Sequence, residues 1–232
     1  VTTVQGWQAE AEARKDEPLL PELAHHLDES ETFGTCLRHP LVYAVPYHPQ
    51  WAWQCNDQYE AKTQAVQEAI AAGDWHTVIW LHERPWRLWA FQQIQRRLKH
   101  REYWELLGAI WVDSENIWQN LEEWREVLTS RRPGRRYMMS EDEREALAAM
   151  PEELTIHRGY SHPGGTRLGF SWTLSEDRAD WFARRLARDG EVPVVLISKV
   201  GRADVIAYFT GRGEEEIVVD PRSLRLAGGQ SV

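Results

Sequence analysis

Cysteine is scarce: the 232 residues hold two, Cys36 and Cys55. Two thiols cannot build the disulfide framework of a small secreted scaffold, and their spacing does not suit a metal site. They read as reduced thiols of a cytoplasmic protein. No apolar run reaches the roughly 20 residues that a membrane-spanning helix needs. No signal-peptide pattern opens the chain, so the expected compartment is the cytoplasm and no membrane partner is expected. Internal repeats and low-complexity tracts are missing as well. Positive charge is in deficit, with 27 Lys and Arg against 36 Asp and Glu, a net charge of -9. That balance argues against coating nucleic acid as the main task and leaves room for a local basic site.

Tryptophan, by contrast, is abundant, with 13 residues. So many indoles imply well-filled cores or a large aromatic surface. The length suits one large or two small domains. Residues 1–34 are polar, interrupted by Pro18 and Pro21, and read as an N-terminal arm. The adjacent His25 and His26 would point apart on a helix and make no metal pair. Residues 38–50, RHPLVYAVPYHPQ, read as an extended connector with room for one short strand. Apolar spacing predicts a helix over 58–72 that Gly73 stops, with Asp74 capping the next one. Aromatics at near-helical spacing follow Pro85. The longest helical pattern covers 103–129, broken near Asp113 and Ser114. Residues 131–136, RRPGRR, are either a solvated linker or a phosphate contact. Ser140 and Glu143 form a capping box. Residues 35–150 thus read as a helical, Trp-rich domain.

From Leu154 the period changes. Residues 154–160 (LTIHRGY) read as a strand, 161–168 as a Pro/Gly-rich loop and 169–173 (GFSWT) as a short strand or turn. Ser175 caps a helix with acids in its first turn and arginines in its last, matching the helix dipole. Strands are expected at 192–200, 204–209 and 217–219. The last two flank a glycine turn, TGRG (210–213), followed by Glu214, Glu215 and Glu216. Strand alternation would send Glu214 and Glu216 to one face. The acidic run either keeps an edge strand soluble or sets two carboxylates side by side.

Three pieces stand in order: Arg158 in HRG, Ser171 and Thr173 in SWT, and Glu214 and Glu216, with Phe209 and a glycine turn ahead of them. This order resembles the mono-ADP-ribosyltransferase family of the Arg/Ser/Glu-x-Glu type, which includes many bacterial toxins. The resemblance covers about 154–221. It departs from the family at Trp172, since the serine motif is usually Ser-Thr-Ser, and at His157, where an aromatic is common. The resemblance implies an α+β protein whose helical domain is followed, over 151–232, by a small mixed β-sandwich catalytic domain. It implies NAD+ as co-substrate and no metal. Arg158 would hold the pyrophosphate, since a guanidinium binds it bidentately and stays charged. The backbone of Gly159 would meet the nicotinamide amide. Ser171 would fix the Glu216 rotamer. Glu216 would hold the ribose 2′-hydroxyl and stabilise the oxocarbenium-like charge, and Glu214 would orient the nucleophile and take its proton. Trp172, Thr173 and Phe182 would complete the NAD+ site, and Tyr208 and Phe209 would face the acceptor. In this family Glu-x-Glu goes with arginine acceptors, so the resemblance implies a toxin or effector acting on protein arginine. The helical half is left to bind a target, to meet an antitoxin or inhibitor, or to buttress the catalytic part. Two other readings are ADP-ribosylation of RNA or DNA through RRPGRR and exposed tryptophans, and a catalytically silent binding module. In the last, Arg158 pairs with an acid, Ser171 is a turn residue, and Trp172 and Phe182 are core.

Overall fold

The structure, a computed structural model, describes residues 4–115, 117–163 and 168–226. The chain forms two compact units, residues 1–96 and 97–232. The division therefore falls at Arg96/Arg97 rather than near 150, and residues 97–150 group with the strands that follow them.

The first unit opens with α1 (Val4–Arg14) and α2 (Pro21–Ala24). A three-stranded antiparallel sheet follows, β1 (Leu27–Ser30), β2 (Gly34–His39) and β3 (Val42–Ala44). β1 and β2 take up the end of the expected arm and the start of the connector, and β3 is the short strand for which the connector had room. The arm is tied down through the buried Asn56, whose side chain accepts from the Leu20 backbone at 2.9 Å and donates to the Pro18 carbonyl at 3.0 Å. Leu23, Leu37, Val42, Tyr47 and Cys55 pack into one core cluster. His25 ends α2, and the His26 ring meets His39 edge-on at 4.6 Å. Helix α3 (Ala52–Ala72) ends at Gly73, which takes φ +70°. α4 (Trp75–Leu81) begins at Asp74, whose carboxylate accepts from the Thr77 backbone at 3.0 Å. α5 (Arg87–Ile94) closes the unit. Both cysteines are buried and free.

The second unit begins with α6 (His100–Asp113), α7 (Leu121–Leu128) and α8 (Glu141–Ala149). Tyr103, Trp104, Leu107, Ile110 and Trp111 form the buried stripe of α6, at the spacing of an amphipathic helix. Trp111 meets Trp124 of α7 edge-on at 4.9 Å, and the Tyr103 hydroxyl donates to the Val127 carbonyl at 2.8 Å. RRPGRR is a largely exposed turn anchored at two points: the Trp104 indole donates to the Pro133 carbonyl at 3.1 Å, and Arg132 donates to the Leu98 carbonyl at 2.9 Å. The Ser140–Glu143 capping box forms at the start of α8.

Six strands then build one sheet: β4 (Glu153–His162), β5 (Ser171–Thr173), β6 (Val192–Gly201), β7 (Val205–Phe209), β8 (Glu216–Val219) and β9 (Arg225–Leu226). Their order is β7-β8-β5-β4-β6-β9, and every described pairing is antiparallel, not mixed. β4 and β6 pair along their whole length, whereas β4 and β5 are registered by the single pair His157↔Thr173. Helix α9 (Glu176–Leu186), capped by Ser175, packs on β4. It comes so close that a Cβ at Gly159 would lie 1.9 Å from the Ala179 carbonyl oxygen. Residues 164–167 of the expected loop lie outside the described residues. The fold is mixed α/β, helices combined with antiparallel sheets.

Candidate active site

Arg158 sits inside β4, opposite Leu196 of β6, and not at a strand end. Its Nη1 donates to the Ser171 carbonyl at 2.6 Å. Gly169 makes room for the guanidinium: a Cβ there would be 2.9 Å from Nη2. Burial pulls the Arg158 pKa down to about 10, opposed by the negative charge of Glu216, so the side chain stays a cation at neutral pH.

Ser171 begins β5 and Glu216 begins β8, two strands registered by Thr173↔Glu216. The Ser171 hydroxyl donates to Glu216 Oε1. The Trp111 indole donates to Glu216 Oε2 at 3.2 Å. The two carboxylates come together by a route other than strand alternation. Glu214 closes a 3-10 turn over Gly211–Gly213, Glu215 takes the left-handed φ of +46°, and the strand starts only at Glu216. Such a φ is costly for a non-glycine residue. The turn is pinned where it occurs: the Thr173 hydroxyl donates to the Glu214 carbonyl at 2.7 Å, and the Leu174 backbone donates to the Glu215 carbonyl at 3.2 Å. Arg178 of α9 stands with Nη2 at 3.6 Å from Glu214 Oε1.

A cavity of about 170 Å³ is walled by Arg158, Gly159, Ser171, Trp172, Thr173, Phe182, Glu214 and Glu216, with His157 and Ala179. A second, of about 390 Å³, shares Ser171, Phe182, Glu214 and Glu216 with it and extends along Trp111, Glu115, Arg185 and Phe209. Nearly every residue expected at the site therefore lines one of these two spaces. Tyr208 lines neither; it is 5% exposed in the core of β7, with its backbone N–H directed to Met139 Sδ at 3.2 Å. Burying the ring inside the sheet outweighs presenting it to an acceptor. Trp172 forms a wall, and its indole N–H donates to the Gly169 carbonyl at 2.9 Å. The missing side chain of Gly159 serves helix packing. His157 is buried at the cavity, and its Nδ1 has no hydrogen-bond partner among the described residues.

Among the residues that the motif reading misses are Trp111, Gly169, Arg178 and Arg185. Arg178 and Arg185 hold their guanidinium carbons 4.8 Å and 4.9 Å from the Trp181 ring. Their i, i+3, i+7 spacing with Trp181 marks one face of α9 and was there to be read. Trp111 carries no such signal, being 105 positions from Glu216. Among the described residues no group of three or more His, Cys, Asp or Glu is placed to hold a metal ion, and no helix is long and apolar enough to cross a membrane. The arrangement offers a buried cation, a carboxylate fixed by two donors and a second carboxylate beside a guanidinium. Comparison with models of protein families, with curated proteins and with solved structures finds no match.

Proposed function

We propose that the second unit is an NAD+-dependent mono-ADP-ribosyltransferase that moves ADP-ribose to a protein arginine and releases nicotinamide. One observation carries this reading: Arg158, Ser171 and Glu216, drawn from three strands, wall one cavity with the serine hydroxyl on the glutamate. In this reading the helices of residues 97–150 and the six-stranded sheet together make the catalytic domain, its sheet divided into a sandwich at the single β4–β5 pair. The smaller cavity takes the nicotinamide-ribose end of the co-substrate. Arg158 meets the pyrophosphate, and Arg185 lines the larger space beyond. Glu216 faces the ribose, where its fixed charge favours cleavage of the bond to nicotinamide. One preorganised electrostatic contact of this kind contributes roughly 3–4 kcal/mol. The acceptor nitrogen bonds to the ribose carbon as nicotinamide leaves, and Glu214 takes the acceptor's proton.

The contact between Arg178 and Glu214, at 3.6 Å, supports arginine as the acceptor. Glu214 pairs here with a guanidinium of the protein itself, the same group that a target arginine would bring in competition with Arg178. Within RRPGRR the Arg132 side chain is engaged with the Leu98 carbonyl, while Arg131, Arg135 and Arg136 are exposed, so a nucleic-acid acceptor stands as the second reading. A transferase of this kind would serve as a bacterial or phage effector, with an inhibitor or antitoxin as its natural counterpart.

The test is labelled NAD+ with cell lysate, wild type against Glu216→Gln. Label on protein that survives nuclease and falls at least about 100-fold in the variant is expected. Equal label in both proteins would reject the reading. Label removed by nuclease would move the acceptor to RNA or DNA. A calorimetric titration with NAD+ showing no heat, together with no thermal shift, would leave a silent binding module.

A further inference from the structure

We infer that Trp111 is a positioning residue for Glu216, holding the carboxylate oxygen that Ser171 does not reach. Its catalytic consequence rests on the transferase reading; the contact itself does not. The Ser171 hydroxyl reaches Oε1 and the Trp111 indole reaches Oε2, the latter at 3.2 Å. A donor on one oxygen leaves the carboxylate free to swing about its last bond. Donors on both oxygens define its plane.

The indole is itself well held. Trp111 is 3% exposed and meets Trp124 edge-on at 4.9 Å. It lies in the last turn of α6, where the Ser114 hydroxyl donates back to the Ile110 carbonyl at 2.7 Å. A buried indole N–H needs an acceptor, and an ionised carboxylate makes the stronger, charge-assisted bond. The carboxylate keeps capacity for substrate, since its two oxygens offer about four acceptor sites. Trp111 therefore steers the orientation of Glu216 without displacing a ribose hydroxyl. Because Glu216 acts on charge that develops during the reaction, loosening it should lower kcat more than it changes KM.

The experiment uses the full chain in three forms: wild type, Trp111→Phe, and Trp111→3-benzothienylalanine, which keeps the indole outline and replaces its N–H by sulfur. We expect kcat with labelled NAD+ to fall about 10- to 100-fold in both variants, the loss of one bond to a charged group. KM for NAD+ should stay within about 2-fold. Full activity in the benzothienyl protein would mean that the ring only fills space, and would overturn the inference. A second readout needs no turnover. The indole ¹H–¹⁵N resonance of Trp111, identified by its loss in Trp111→Phe, should move upfield and lose exchange protection in Glu216→Ala. An unmoved resonance would overturn the contact whether or not the chain is active. A wild type without turnover would instead sink the transferase reading, with the resonance still judging the contact.

Discussion

Gly159 shows how one missing side chain holds a site together. The Cβ of an alanine there would press within 1.9 Å of the Ala179 carbonyl oxygen and 2.6 Å of the Ala183 nitrogen, both backbone atoms of α9. Neither can rotate away, so the helix must lift from β4. Overpacking of this kind costs about 3 kcal/mol. Gly159→Ala should lower the urea midpoint correspondingly, and it should displace Phe182 and Arg178, which ride on the same helix. An unchanged midpoint would contradict the close approach. The glycine was legible in the sequence as part of HRG, but its reason was not. Motif reading assigns the space to nicotinamide, and only the helix crossing reveals what fills it. The same holds for Glu214 and Glu216: alternation placed them together for the wrong reason, since the left-handed Glu215 sets their relation. Trp111 was legible only as an apolar member of a helical stripe, because a contact across the fold leaves no local pattern.

The elements that sequence reveals best are those with strong periodicity and polar caps. α3, α4, α8 and α9 start or stop where Gly73, Asp74, Ser140 and Ser175 place them. The three-stranded sheet of the first unit stays hidden because β1 is LDES, largely exposed, and β3 is only three residues long. Tertiary pairing rather than propensity makes these strands. That sheet carries a pH dependence. Burial, with His26 and His82 adding like charge, pulls the His39 pKa down to about 4. His39 Nδ1 accepts from the Leu41 backbone at 3.1 Å, and its ring meets Tyr59 edge-on, so protonation at Nδ1 would break a turn bond between β2 and β3. The folded value lies below the unfolded one near 6.5. Stability is therefore fully present above about pH 6.5 and declines as pH falls toward 4, by at most roughly 3 kcal/mol for this group and by less once solvent screens the partly exposed ring. Hydrogen exchange of the β2 and β3 amides, corrected for intrinsic rates, should show the loss between pH 7 and 5, and His39→Gln should flatten it. Equal slopes in both proteins would assign the loss elsewhere.

For the whole molecule, the division at Arg96/Arg97 matters more than the change of period near Leu154. Residues 135–150 are bonded to the sheet that follows: the Thr210 backbone donates to Glu143 at 3.0 Å, and Arg202 donates to the Ala148 carbonyl at 2.6 Å. Arg125 of α7 stands 5.6 Å over the Phe170 ring. A fragment of residues 97–232 should therefore unfold cooperatively, whereas 151–232 alone, stripped of those partners and of Trp111, should not. Circular dichroism melts of the two fragments decide it, and a cooperative melt for the shorter one would restore the boundary near 150. The single pair His157↔Thr173 has a further consequence. It is a seam between two halves of the sheet, with Arg158 on one bank and Ser171 and Glu216 on the other. A molecule gripped by the arginine at one end and the glutamate at the other would act as a staple across that seam, stiffening the sheet at the place where its own backbone stitches it least.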